Sequence, residues 1–276
     1  MADTPDDDRP GRDDLILSIN RSVQMLSLFT ARRTTLSLNE MQELLPWART
    51  TLHRYAMSLR KAGMLFYDDG TARYSLGPRV IQLGTAALSG LTLTQSVGPF
   101  LTRLVARTHV TALLTVWDGE APLVVRENDD TDRLVSLKVR EGSHLPAFDS
   151  AAGTVFLAFS EQARASLAAD ASGRHRSLDS RRDELDQVRT TGVAYSQTLS
   201  GLHSIASPVF QQREIVGAIS LLGTMTELPA SGPSDETEEL RSACRDLTRI
   251  LGGVRAAALG EDPADADTDA EAGHGD

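Results

Sequence analysis

Cysteine is almost missing from this chain: Cys244 stands alone among 276 residues. One thiol closes no intramolecular disulfide and builds no Cys-cluster metal site. Long apolar runs are missing too, and none approaches the ~18 residues a membrane-spanning helix requires. The first residues are acidic and polar, so no secretory signal is expected. His109, His144, His175 and His203 are scattered, which argues against a metal centre. No Gly-x-Ser-x-Gly elbow and no paired carboxylates stand out, so the chain offers little for hydrolytic chemistry. A cytoplasmic protein without cofactor is the expectation.

What is present is unevenly charged. The formal net charge is -10, which argues at first against a nucleic-acid partner. Its distribution reverses that argument. Between Leu15 and Leu83, nine Lys and Arg residues face four acidic ones. Residues 1–14 and 260–276 are acidic, rich in Asp, and expected to be disordered. A basic module among acidic parts is the local field that a phosphate backbone meets.

Within that module, Ser37 to Gly63 reads as two short helices joined by a tight turn. Ser37 and Glu40 have capping-box spacing. Met41, Leu44 and Leu45 form an apolar stripe, and Pro46 stops the helix. Thr50 or Thr51 can cap the second helix, and Gly63 sits where a left-handed residue ends it. Leu52, Tyr55 or Ala56, and Leu59 face inward, with Trp47 packing at the turn. Arg49, Thr50, Thr51, His53, Arg54, Arg60 and Lys61 remain for the outer face, the last two as phosphate contacts or partners of the helix dipole. Such a pair suits the major groove of duplex DNA.

A preceding helix, Leu15 to Phe29, is expected to turn Ile16, Ile19, Val23, Leu26 and Phe29 to one side. After Gly63 comes a hairpin, residues 64–67 and 73–76, turning at Asp69-Gly70. It reads as a wing whose Arg73 reaches a phosphate or the minor groove. Residues 78–93 form a linker helix, and Thr94 to Thr108 an amphipathic helix using Val97, Leu101, Leu104 and Val105. Strands follow at Thr111–Trp117, Pro122–Glu127 and Arg133–Arg140. Helices are expected at Ser150–Phe159, Gln162–Ala169 and Ser180–Thr191. A second hairpin, Ser204–Phe210 with Ile215–Leu222, leads to a closing helix, Ser234–Leu259. The fold class is α+β with an antiparallel sheet in the second part. The domains read as 15–77, 78–93 and 94–259 between two tails.

Four segments together carry a resemblance. They are Leu45–Tyr55 (LPWARTTLHRY), Gly70–Gly84 (GTARYSLGPRVIQLG), Leu145–Phe159 (LPAFDSAAGTVFLAF), and Gly201–Phe210 (GLHSIASPVF) followed by Gly217–Gly223. In this order the chain resembles the IclR family of bacterial transcription regulators over roughly Leu15 to Leu259. The resemblance implies a winged helix-turn-helix head that binds a palindromic DNA operator, with Ser37 counted among its contacts. It implies a linker helix and a GAF- or profilin-like domain binding a small organic effector. It also implies dimers, often paired into tetramers. The effector would lie against Ala151, Ala152, Gly153, Ser204, Ile205 and Ser220. The helix start at 151–153 offers amide N–H groups to an anion. The chain departs from the family pattern at Thr154, Ala194, Ser204 and Leu222, where more polar or reactive residues are common. A less polar pocket follows, suited to an aromatic acid, to a hydrophobic metabolite, or to no ligand.

Three functions are carried forward. The leading one is a ligand-responsive regulator, a repressor by preference, in which ligand shifts a two-state dimer and so the spacing of its recognition helices. The others are an enzyme on the C-terminal domain with an accessory DNA-binding head, and an architectural DNA-binding dimer without ligand.

Overall fold

The computed structural model describes residues 16–30, 32–90, 92–129, 138–168, 178–198 and 201–252. The chain forms two compact units, Met1–Leu88 and Ser89–Asp276.

The first unit contains α1 (Leu17–Leu26), β1 (Thr35–Leu36), α2 (Leu38–Leu44), α3 (Arg49–Lys61), β2 (Leu65–Asp68) and β3 (Arg73–Leu76). The strands form an antiparallel sheet in the order β1-β3-β2. Both halves of the capping box at α2 are made: the Glu40 N–H donates to Ser37 Oγ, and the Ser37 N–H to Glu40 Oε2. Ahead of Pro46, α2 stops at Leu44. The expected threonine cap on α3 is corrected: Ala48 holds the N-cap position and no side chain caps the helix. Gly63 follows the helix with φ +74°, a conformation that favours glycine.

Met25, Leu36, Met41, Leu52, Ala56, Leu59, Leu65 and Tyr74 build the core of this unit. The expected apolar side of the first helix is corrected in part: Leu26 and Phe29 pack on the core as expected, and the other three do not. Met25 fills the core, followed by Leu28 and Phe29, whereas Ile16, Ile19 and Val23 are each more than half exposed. Both sides of α1 are apolar, so periodicity alone did not fix which side turns inward.

Helix α4 (Pro78–Gly90) follows β3, and the division between the units falls in its last turn. Residue 91, within the expected linker helix 78–93, lies outside the described residues.

The second unit opens with α5 (Thr92–Ser96) and α6 (Gly98–Thr108). The sequence suggested one helix here. Pro99, near the start of α6, has no N–H to continue the ladder, so the helix breaks at Val97. Then come β4 (Thr111–Trp117), β5 (Pro122–Asn128), α7 (Ala151–Phe159), α8 (Glu161–Ala168), a 3₁₀ turn at Leu178–Arg181 and α9 (Arg182–Thr191). β6 (Ala194–Gln197), β7 (Leu202–Gln211), β8 (Glu214–Thr224) and α10 (Asp235–Ile250) complete it. The expected strand over 133–140 lies mostly outside the described residues, and its last three are not strand. The closing helix, expected to reach Leu259, ends at Ile250 with Leu251 as its C-cap, and residues 253–259 lie outside the described residues.

All five strands of this sheet pair antiparallel, in the order β5-β4-β8-β7-β6. One face carries Ala112, Leu114, Ile205, Ile219 and Leu221, packed with Leu101 and Leu104 of α6 and Leu240, Cys244 and Leu247 of α10. The other face carries Ala206 and Ala218 against Ala151, Val155 and Phe156 of α7, with Leu185 and Val188 of α9 beyond. Helix α7 is buried from Ala151 to Ala158. Its ends are satisfied accordingly: Ser150 Oγ accepts from the Gly153 N–H, Arg164 donates to the carbonyls of Leu157 and Ala158, and Arg189 also donates to that of Ala158.

Candidate nucleic-acid interface and effector pocket

The outer face of α3 displays Arg49, Thr50, His53 and Arg54, all exposed, with Thr51 half-buried. Beside it runs a cleft of about 420 Å³, lined by Asn39, Arg49, His53, Met57, Arg60, Tyr67 and Ala72 among others. The cleft lies between the start of α2, the face of α3 and the hairpin turn. Near the end of α3, Arg60 stacks on the Tyr67 ring at 5.4 Å. This cation–π contact braces helix against hairpin. Lys61 remains exposed in the last turn, where its charge complements the helix dipole. Trp47 packs on Tyr55 and lies under the Arg21 guanidinium.

Two residues expected at the interface, both half-buried, also make hydrogen bonds within the head, and Ser37 lines the cleft. Ser37 spends its hydroxyl on the α2 cap. Arg73 turns back from the wing: its Nη2 donates to Glu40 Oε1 at 3.0 Å and to the Thr35 carbonyl, and its Nε to Thr35 Oγ1. The Glu40 carboxyl falls to about 2, mainly through the Ser37 N–H and hydroxyl and then Arg73. A residue-type argument could not foresee this, because Arg73 and Glu40 are 33 positions apart.

In the second unit, strand alternation decides which side chains look toward α7. Ile219 and Leu221 belong to the core on the α6–α10 side. Ser220 therefore faces α7, as do Ser204 and Leu222. Ser220 pairs with Leu113 on β4 and with Ala206 on β7, while Ser204 pairs with Leu222. The two serines are thus diagonal neighbours on one face. Ile205 is a correction to the expected set: its side chain enters the opposite core and is fully buried there. The alternation of Ser204, Ile205 and Ala206 was the signal that separates them.

Ser220 is 2% exposed, and its Oγ has no hydrogen-bond partner. In α7, which packs on this face, Ala151 and Ala152 are buried at the helix start, where helix geometry leaves their N–H groups without intrahelical acceptors. Gly153 has a different task. Its N–H is taken by Ser150, and a Cβ there would lie 2.1 Å from the Ala147 carbonyl oxygen. It permits close packing rather than offering a donor. Thr154 accepts a hydrogen bond from Arg181, whose guanidinium also holds Glu184 and the Phe148 carbonyl. Glu127, on the sheet face shared with Leu113, has its carboxyl pushed up by burial. Among the described residues, no cluster of three or more His, Cys, Asp and Glu could hold a metal ion, and no helix is long and apolar enough to cross a membrane.

Comparison with known proteins gives this geometry a family. Residues 18–69 match the IclR helix-turn-helix domain, and residues 85–249 match the bacterial transcriptional regulator IclR C-terminal domain. The chain is 29% identical over 258 residues to the Pca regulon regulatory protein of Pseudomonas putida, covering 88% of this chain and 87% of that one. The fold superposes with a TM-score of 0.74 on an IclR transcriptional regulator from Silicibacter, at 24% identity, covering 86% and 96%. An IclR homologue from Microbacterium hydrocarbonoxydans, complexed with 4-hydroxybenzoate, superposes with a TM-score of 0.69 at 20% identity, covering 85% and 98%. A DNA-binding helix-turn-helix head and an effector-binding α/β domain with an antiparallel sheet, matched along most of the chain, make this protein a member of the IclR family of transcriptional regulators.

Proposed function

We propose that the protein is a cytoplasmic, non-enzymatic repressor that occupies a palindromic operator as a dimer or a pair of dimers. An organic acid with an aromatic or otherwise apolar body releases it. Arg49, Thr50, Thr51, His53 and Arg54 read the DNA, and Arg60 and Lys61 lie nearest the backbone. Ser37, which lines the cleft, and Arg73 on the wing complete that surface.

The observation that carries the ligand reading is the buried Ser220 hydroxyl without a partner. Leaving such a group unmade costs roughly 1–3 kcal/mol, so a native fold that keeps one has a use for it. A ligand carboxylate would accept from Ser220 and from the Ala151 and Ala152 amides. Ser204 lies beside it, and Leu113 and Leu222 suit an apolar body. The 4-hydroxybenzoate bound to the Microbacterium homologue has this chemistry.

Self-association has its own support. Ile16, Leu17, Ile19 and Val23 on α1, and Ile81 and Leu83 on α4, are all more than half exposed. Apolar stripes on two helices of a head that reads a palindrome suit a second copy of the same head.

The test is a thermal-shift series with hydroxybenzoates and aliphatic keto acids, followed by release of bound duplex. A binding acid at a hundredfold its Kd raises the midpoint by roughly 5–10 °C, weakens duplex binding and is recovered unchanged. Turnover of the acid, or silence across both series with duplex binding intact, contradicts the proposal.

A further inference from the structure

Arg49 lines the α3–wing cleft and Arg73 stands on β3, and the chain holds the two in opposite ways. Arg73 is paired with the Glu40 carboxylate at 2.9 Å, which partly offsets its charge. Arg49 has a neutral partner: its Nη1 donates to Oδ1 of Asn39, across ten residues of chain. A guanidinium only donates, so the amide atom facing it is the oxygen. The Asn39 NH₂ group must then point away from Arg49.

Arg49 is the first residue of α3, and Asn39 is the second of α2. The contact bridges the turn between the helices, where no side chain caps α3. An arginine at the end of a helix samples many rotamers and loses that freedom on binding. A neutral acceptor removes part of the loss beforehand and leaves the positive charge whole. A carboxylate in the same place would fix the side chain but offset its charge, as Glu40 does in part at Arg73.

We propose that Asn39 is a positioning residue for DNA recognition: its carboxamide oxygen fixes the Arg49 guanidinium, still fully charged, toward a base edge in the major groove. The inference rests on the reading of α3 as the DNA-contacting helix. Asn39 lies on α2, its exposed side chain takes no part in the capping box, and its effect passes through Arg49. The α2–α3 pair, rather than α3 alone, then sets discrimination at the base pair that Arg49 meets.

The experiment uses the full chain and a duplex recovered by the wild-type protein from a random-sequence pool, with random duplex as reference. Asn39→Ala is expected to weaken the recovered duplex about 3–10-fold, a part of what one well-made arginine–base contact contributes. Random duplex and the salt slope should not change. Arg49→Ala should lose more, and the double variant should match it, because the pair acts as one unit. Asn39→Asp keeps the acceptor but adds a negative charge. It should weaken both duplexes and lower the salt slope by about one. A melting temperature within experimental error of wild type accompanies each expected result. An intact preference in Asn39→Ala, or an equal loss with and without Arg49, overturns the positioning role alone. Wild-type binding by Arg49→Ala removes the reading of α3 on which it stands.

Discussion

The carbonyl oxygen of Gly63 occupies the space a side chain at position 77 would need: a Cβ on Gly77 would lie 2.2 Å from it. The chain leaving α3 and the chain leaving the wing cross at this point. The Gly77 N–H donates to the Met64 carbonyl at 2.8 Å, and the Arg79 N–H to that of Gly63. The crossing fixes where the wing ends and α4 begins.

Gly77→Ala should therefore destabilise the head by about 1–3 kcal/mol, the usual range for overpacking. Gly84 is the control, because a Cβ there meets nothing within 4 Å. Gly84→Ala, within α4, should be neutral or stabilising by about 0.5–1 kcal/mol. Urea unfolding followed through Trp47 fluorescence in a Trp117→Phe background reads both. Equal effects at the two positions would refute the crossing.

The head should weaken in acid through one identifiable group. Glu40 titrates at about 2 instead of 4.5, held down by Ser37 and Arg73. A carboxylate depressed in the folded state stabilises above its unfolded value and loses that contribution as pH falls through the folded one. The window lies between about pH 4.5 and 2. Glu40→Gln keeps the capping-box geometry but removes the charge, so head stability should depend less steeply on pH in that window. A slope identical to wild type would mean that Glu40 does not supply it.

Local chemistry made much of this legible beforehand. The α2 capping box, the stop before Pro46, the Gly63 terminus and the Asp-Gly hairpin each depend on a few adjacent residues, and each stands where those residues indicate. The β4–β5 hairpin was equally plain, because its strands are apolar and bounded by Asp118-Gly119. Longer-range choices were not legible. Nothing in the α1 sequence says that Met25 rather than Ile19 meets the core. The edge strand β6 is only four residues long and mixed in character, so its pairing with β7 carries more signal than its own sequence. The pairing of Arg73 with Glu40 joins residues 33 positions apart, which no local pattern shows. In the effector domain, Ser220 followed from resemblance, and strand alternation separated Ile205 from its neighbours.

Ser220→Ala separates stability from response. Because the hydroxyl is buried without a partner, its removal should leave stability unchanged or raise it by up to about 1–3 kcal/mol. The same change should weaken any ligand-induced thermal shift, with a Kd about tenfold higher for an acid seated on that hydroxyl. Calorimetry with wild type and variant checks both signs. A clear loss of stability with unchanged ligand affinity would place the hydroxyl in an ordinary structural role.

The exposed stripes on α1 and α4 make a prediction about mass. Ile19→Asp and Ile81→Asp should shift the assembly toward smaller species in sedimentation and weaken duplex binding with it, leaving the melting of each head little changed. Wild-type mass in both variants would rule out these stripes as the contact.

The regulator's function turns on α3 gripping duplex DNA. The most direct measurement is the affinity of wild-type protein, Arg49→Ala and Arg54→Ala for the pool-recovered duplex between about 50 and 200 mM salt, a range over which phosphate contacts show clearly. The account predicts a strong preference over random duplex in wild type. It predicts a loss of about tenfold or more in each variant, at unchanged melting temperature. Wild-type affinity in both variants, or no preference over random duplex in the parent, would contradict it.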